Sequence, residues 1–175
     1  YDKIKIFSRP FNPEVIPTEE QILAVELFMD KSVPVVSYIA GQGAGKTLFS
    51  LECGLKGVKN HDYLRVLYIK PVIAAGEELG FNKGSISDKI SPYMASCEDA
   101  LMEIYSLDKM DEFYYTHPEL RIKNSREFID SLKKTGILKQ DVITYIPGRT
   151  IANTWIIVDE SQFFNREQLR LLIGR

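Results

Sequence analysis

An α/β domain built on a mostly parallel sheet is the fold class that this sequence predicts, and three observations carry it. A glycine-rich octapeptide, Ala40-Gly41-Gln42-Gly43-Ala44-Gly45-Lys46-Thr47, lies between an apolar run at residues 33–39 and a helix-compatible run at residues 48–58. A mostly aliphatic run follows at residues 64–69, as a strand buried on both faces requires. A third run, Trp155-Ile156-Ile157-Val158, ends in Asp159-Glu160. Strands that alternate with helical segments favour parallel pairing, because each helix returns the chain to the edge from which the sheet started.

The elements follow in order. Residues 3–7 form a short β-like run, and a proline-broken stretch makes residues 1–16 a leader or linker. Thr18 is placed to cap a helix whose apolar face carries Ile22, Leu23, Val25, Phe28 and Met29. Residues 33–39 are expected to be the strand that feeds the glycine-rich loop, and the helix after the loop ends near Lys59-Asn60. A glycine-containing loop at residues 71–87 leads to a helix opened by Ser91-Pro92, with Met94, Cys97, Leu101, Ile104 and Tyr105 on one side. Residues 107–124 are irregular, Ser125 starts a helix that runs through Lys134, and Gly136 ends it. Residues 137–146 and 155–158 read as strands. Asn165, with Gln168 three residues on, opens the last helix through a capping box.

Composition narrows the class further. At 175 residues, 45% hydrophobic and 26% charged, the chain can bury the core of one domain and is neither disordered nor membrane-spanning in character. No apolar run approaches the ~18 residues of a transmembrane helix. Cys53 and Cys97 lack metal-ligand spacing and are expected to be reduced core residues of a cytoplasmic protein. A net charge of −2 gives no global footprint for nucleic acid, so any such surface must be local. The cluster Lys133, Lys134 and Lys139 reads either as a solvated helix end favoured by the dipole or as such a local surface.

The octapeptide has the residue types of a phosphate-binding loop. Glycines let successive backbone N–H groups turn inward toward phosphate oxygens, and the helix that starts there adds its positive end. Gly41, Gln42, Gly43, Ala44, Gly45, Lys46, Thr47 and Leu48 are therefore candidate nucleotide-binding residues. Lys46 is expected to reach the β- and γ-phosphates, and the Thr47 hydroxyl to ligate Mg²⁺. Ala40 stands where the stricter form of the pattern has glycine.

An apolar strand ending in two acids complements that loop. Asp159 is the candidate metal ligand, and Glu160 the candidate base that polarises the attacking water. Gln162 is either a γ-phosphate or water-sensing group, counted here among the catalytic candidates, or a surface side chain. Gln21 lies three residues after Thr18 in Thr18-Glu19-Glu20-Gln21, where it can complete a capping box, yet its amide also carries the donor and acceptor that an adenine edge requires.

With these motifs in view, the chain resembles the PhoH family of ATPases. Lys70-Pro71-Val72-Ile73-Ala74-Ala75-Gly76-Glu77-Glu78-Leu79-Gly80-Phe81, continuing through Gly84 to Asp88-Lys89-Ile90 and Pro92-Tyr93, resembles a stretch specific to that family. Gly148-Arg149-Thr150-Ile151 with Asn153 resembles its Gly-Arg-Thr segment, and Asp159-Glu160-Ser161-Gln162 its acidic box. Lys70 stands in place of an arginine, Ala40-Gly41 in place of Gly-Pro, Asn82-Lys83 in place of Leu-Pro, and Pro147 where arginine is frequent.

The resemblance implies a RecA-like P-loop NTPase fold, ATP and Mg²⁺ as ligands, and ATP hydrolysis. It also implies a motor acting on RNA or single-stranded nucleic acid, and a ring-shaped homo-oligomer that can be a hexamer. It favours Gln21 as an adenine contact and makes Lys70 and Arg149 possible nucleic-acid or phosphate contacts, with a salt bridge as the alternative for Arg149. Residues 17–175 are then expected to be the N-terminal part of the ATPase domain, with further strands beyond Arg175 and with little activity in this stretch alone. The competing expectations are a nucleotide-dependent switch that hydrolyses little, and a small-molecule kinase, which would show an arginine-rich lid.

Overall fold

The computed structural model describes residues 17–71, 91–107, 125–142 and 151–174. Within them, α1 spans Glu19–Met29, α2 Lys46–Lys59, β1 Arg65–Lys70, α3 Ala95–Leu107, α4 Ser125–Lys134, β2 Leu138–Val142, β3 Thr154–Val158 and α5 Arg166–Ile173. Short 3-10 turns lie at Ser91–Met94, ahead of α3, and at Ser161–Phe163. The strands form one sheet in the order β2-β1-β3, and both pairs are parallel. Tyr68 faces Gln140 on one side and Ile157 on the other.

The central place of β1 explains its composition. Val66, Leu67, Tyr68 and Ile69 are all buried, so alternation is absent because both faces are covered. Val66 and Tyr68 look toward Leu51 of α2, Met94, Cys97 and Leu101 on or next to α3, and Phe128, Ile129 and Leu132 of α4. Leu67 and Ile69 look the other way, toward Phe164 and Leu172 with Ile156, Val158 and Leu169 beside them. The sheet thus lies between α2, α3 and α4 on one face and α5 on the other. Cys53 and Cys97 are buried thiols, and burial pushes them up to about 12 and about 11, so both stay protonated.

Helix ends follow the expected chemistry. Thr18 and Gln21 form a reciprocal capping box at α1, and Asn165 and Gln168 form another at α5. Beyond α4, Gly136 takes φ +74, the left-handed conformation that lets the chain leave the helix and enter β2.

Two expectations change. Residues 33–39 take no place in the sheet among the described residues, and Val35 and Ile39 stand 61% and 91% exposed. β-branched side chains favour an extended backbone, but a strand forms only where a neighbouring ladder accepts it, and none is described beside this segment. Leu23, expected on the buried face of α1, is exposed, whereas Ala24 and Val25 are buried. The helix packs against α2, which covers one narrow stripe of it. The strand expected over residues 137–146 is seen as Leu138–Val142, and residues 143–150 lie outside the described residues, as do residues 1–16, 72–90 and 108–124.

Trp155, the first large side chain of β3, closes the gap between the sheet and the first two helices. Its indole N–H donates to the Ser50 carbonyl of α2 at 3.0 Å, and its ring meets Tyr63 and Phe28 edge-on. A Cβ added at Gly54 would lie 2.5 Å from the indole ring, so the helix approaches β3 this closely because the residue there is glycine. Gly54→Ala is expected to lower stability by a net ~1–2 kcal/mol in urea unfolding, because overpacking outweighs the ~1 kcal/mol that alanine gains in a helix. A gain of stability would show that the indole yields without cost.

Candidate nucleotide-phosphate site

The glycine-rich loop is shaped by two left-handed residues. Gly43 has φ +77 and Gly45 has φ +79, values that other residue types adopt only with strain. Gly45 is also the N-cap of α2 and supplies no side-chain cap, which leaves the first N–H groups of the helix directed toward the loop. A Cβ at Gly45 would strike the Phe49 ring at 2.6 Å. Lys46 donates from Nζ to the carbonyls of Ala40 at 2.8 Å and Gly41 at 2.7 Å, so its ammonium curls back over the loop. Thr47 sits one residue into α2, and Leu48 turns down onto the core. Gln42 lies in the exposed turn between these glycines.

Gln21 performs the cap and touches the loop as well. Its Oε1 accepts from the Thr18 backbone N–H at 2.9 Å, while its Nε2 donates to the Ala44 carbonyl at 3.4 Å. The Tyr38 hydroxyl donates to that same carbonyl at 3.4 Å. The cap at α1 and the phosphate loop are therefore tied to one atom. The amide keeps one further N–H and a second lone pair on Oε1, enough to serve a base edge without giving up the cap.

The two acids stand at the far end of β3. Asp159 is held on three sides. Its backbone N–H donates to the Ile69 carbonyl at 2.9 Å, its Oδ1 accepts from the Glu160 N–H at 3.1 Å, and its Oδ2 accepts from the Tyr68 hydroxyl. The Lys70 ammonium lies 3.8 Å from Oδ2 and donates to Ser96 Oγ at 2.9 Å. Burial, and then the hydrogen bond to Asp159, push the Tyr68 phenol up, so it stays protonated and acts as the donor. Glu160 is exposed and takes φ +51, and its carboxylate accepts from the Gln162 amide at 2.6 Å.

Element lengths bring the two halves to one edge. The 14 residues of α2 span ~21 Å and the 6 residues of β1 ~20 Å, and a tight turn through His61 joins them head to tail. The start of α2, with Lys46 and Thr47, therefore comes level with the end of β1 at Lys70. Parallel pairing sets Ile69 beside Val158, which brings Asp159 and Glu160 to the same edge. A hydroxyl and a single firmly held carboxylate are hard oxygen donors of the kind Mg²⁺ takes when phosphate and water complete its shell. No group of three or more histidine, cysteine or acidic side chains that would cage a metal alone occurs among the described residues.

Sequence reasoning missed Tyr38, Tyr68 and Ser96. Tyr68 carried a signal: a phenol in the middle of a strand buried on both faces must find a polar partner. Lys70, a possible nucleic-acid or phosphate contact, directs its ammonium to Ser96 and Asp159. Lys133 pairs with Glu98 at 2.6 Å, so that lysine serves the α3–α4 contact. Arg149 lies outside the described residues.

A three-stranded parallel sheet flanked by helices, with a glycine-rich loop opening α2 and acids ending β3, defines an α/β protein of the P-loop class. The sequence model of the PhoH-like protein family matches residues 15–175, and the chain belongs to that family of nucleotide-binding proteins. Protein PhoH2 of Bacillus subtilis is 28% identical over 158 residues, which are 89% of this chain and 32% of that protein. The PhoH-like protein of Mycobacterium tuberculosis is 30% identical over 141 residues, 81% of this chain and 35% of its own length. A PhoH-like protein of Synechocystis is 28% identical over 137 residues, 78% of this chain and 36% of its own. The chain thus spans about a third of the length of these relatives.

The left-handed backbone at Glu160 makes a separable prediction. A side chain there costs ~1–2 kcal/mol that glycine avoids, less the ~0.5–1 kcal/mol of extra chain freedom that glycine brings. Glu160→Gly is expected to raise stability by ~0.5–1 kcal/mol in urea unfolding, as is His61→Gly at φ +61, outside the site. A loss at Glu160 alone would show that its contact with Gln162 outweighs the strain.

Proposed function

We propose that this chain is the nucleotide-binding part of a Mg²⁺-dependent ATPase that works on RNA or single-stranded nucleic acid. What supports the reading is the topology: α2, which opens with Lys46 and Thr47, runs back along β1, and β1 pairs in parallel with the strand that Asp159 and Glu160 follow. In this reading the loop N–H groups from Gly41 to Thr47 cradle the phosphates, and Lys46 leaves its loop carbonyls to neutralise the terminal phosphates. Thr47 and Asp159 would hold Mg²⁺, which when bound would supply polarisation of the phosphate oxygens. Glu160 orients the attacking water and accepts its proton, and Gln162, already bonded to that carboxylate, fixes its direction. Gln21 reads the adenine edge.

The nucleic-acid substrate and a ring-shaped homo-oligomer are supported by the family motifs rather than by geometry, and a cytoplasmic setting by the free cysteines Cys53 and Cys97. No helix among the described residues is long and apolar enough to cross a membrane.

The full-length protein tests the reading. Glu160→Gln preserves shape but cannot accept a proton, so ATP is expected to bind as in the wild type while turnover falls ~10²-fold or more. Lys46→Ala is expected to weaken ATP binding by ~1.5–3 kcal/mol in calorimetry. Gln21→Ala is expected to reduce the preference for ATP over GTP, and RNA to stimulate wild-type turnover. Tight ATP binding without turnover, with or without RNA, would instead make the protein a nucleotide-dependent switch. Unchanged ATP affinity in Lys46→Ala would refute the loop assignment.

A further inference from the structure

The side chains behind Asp159 form a hydrogen-bond chain whose direction is fixed by chemistry. Lys70 can only donate, and it donates to Ser96 Oγ at 2.9 Å. Asp159 can only accept when ionised, and its Oδ2 accepts from the Tyr68 hydroxyl. The Tyr68 proton is therefore engaged with Asp159, so in the 3.0 Å contact between Tyr68 and Ser96 the serine must be the donor. The order is Lys70 to Ser96 to Tyr68 to Asp159, with an ammonium at one end and a carboxylate at the other. Each bond polarises the next in the same sense.

The chain also joins three elements. Tyr68 and Lys70 belong to β1, Asp159 follows β3, and Ser96 lies in the first turn of α3. Tyr68 has no exposed surface, so its hydroxyl has no access to bulk water as an alternative partner. Asp159 has little freedom left once Oδ2 is held from β1 and Oδ1 from the Glu160 N–H. The side-chain exposures of Lys70 and Asp159, 19% and 14%, keep their 3.8 Å ion pair largely out of water.

We infer that Tyr68 and Ser96 are positioning residues that fix the Asp159 carboxylate for the metal that accompanies the nucleotide, with Lys70, itself 3.8 Å from that carboxylate, polarising the chain from its donor end. This rests on the proposed Mg²⁺-nucleotide site. Partners one step behind a metal ligand are commonly worth about 10–100-fold in metal affinity. The position of α3 is thereby linked, through Ser96, to the orientation of the carboxylate.

The test uses the full-length protein and a fluorescent ATP analogue. Analogue affinity is measured in EDTA and again across a Mg²⁺ titration, with thermal unfolding alongside. Tyr68→Phe is expected to raise the Mg²⁺ midpoint about tenfold while affinity in EDTA stays within about twofold of wild type. Ser96→Ala is expected to move the midpoint the same way by a smaller factor, and Ser96→Thr, which keeps the hydroxyl, to restore it. A merely structural tyrosine would lower the unfolding temperature and both affinities together, leaving the midpoint unmoved, and that result would overturn the inference. If Tyr68→Phe does not fold, a wild-type midpoint in Ser96→Ala overturns it equally. A wild-type protein that binds the analogue with no response to Mg²⁺ would instead remove the underlying metal reading and the inference with it.

Discussion

The packing of α2 against the sheet is the constraint on which the arrangement depends. Residues 33–39, which lead into the glycine-rich loop, pair with no strand among the described residues, so within them the loop has no strand of its own to hold it. It is anchored through the helix that it opens. That helix lies on α3, β1 and β3, and its closest approach to β3 is the contact of Gly54 with Trp155. The same indole gathers Phe28 of α1 and Tyr63 of the turn after α2, and binds the Ser50 carbonyl. A single side chain of β3 therefore ties α2, which the loop opens, to the strand that ends in the acids.

Charge at the site is arranged in two unlike halves. Lys46 is satisfied by carbonyls of the loop, whereas Lys70 is satisfied by Ser96 and the Asp159 carboxylate. The two lysines have different work. An ammonium bonded only to neutral carbonyls is free to exchange them for phosphate oxygens at little electrostatic cost. One paired with a half-buried carboxylate is not, since leaving would strand the partner. Of the two, Lys46 is therefore the one suited to the proposed part of meeting an incoming anion. Glu160 stands outside both halves, exposed and in a left-handed conformation, with Gln162 as its partner. Strain kept at one residue beside a site is a familiar cost of aiming a side chain.

Most of the fold was legible in local chemistry. Thr18 with Gln21, and Asn165 with Gln168, announced helix starts because a capping box is a short-range pattern that needs no knowledge of the rest of the chain. The buried stripe of Met94, Cys97, Leu101 and Ile104 was equally plain from its spacing. Pairing was not legible at residues 33–39, because an apolar run becomes a strand only when a neighbour is present. Leu23 was misplaced since a helical face says which side is apolar but not how much of it a neighbour covers. At the site, the loop and the acids were visible as motifs, whereas the Lys70-Ser96-Tyr68-Asp159 chain was not. Its members are up to 91 residues apart in sequence, and only sheet register and the docking of α3 bring them together.

The central claim is that the loop and the strand end form one site, and a double-mutant cycle tests it most directly. Thr47→Ala, Asp159→Asn and the double variant of the full-length protein are compared by their affinity for Mn²⁺ in the presence of ATP, read by electron paramagnetic resonance. Two ligands of one ion give non-additive losses, with an expected coupling of ~1–3 kcal/mol. Losses that add to within ~0.5 kcal/mol would mean that Thr47 and Asp159 act independently, and would contradict a single metal–nucleotide site at this edge of the sheet.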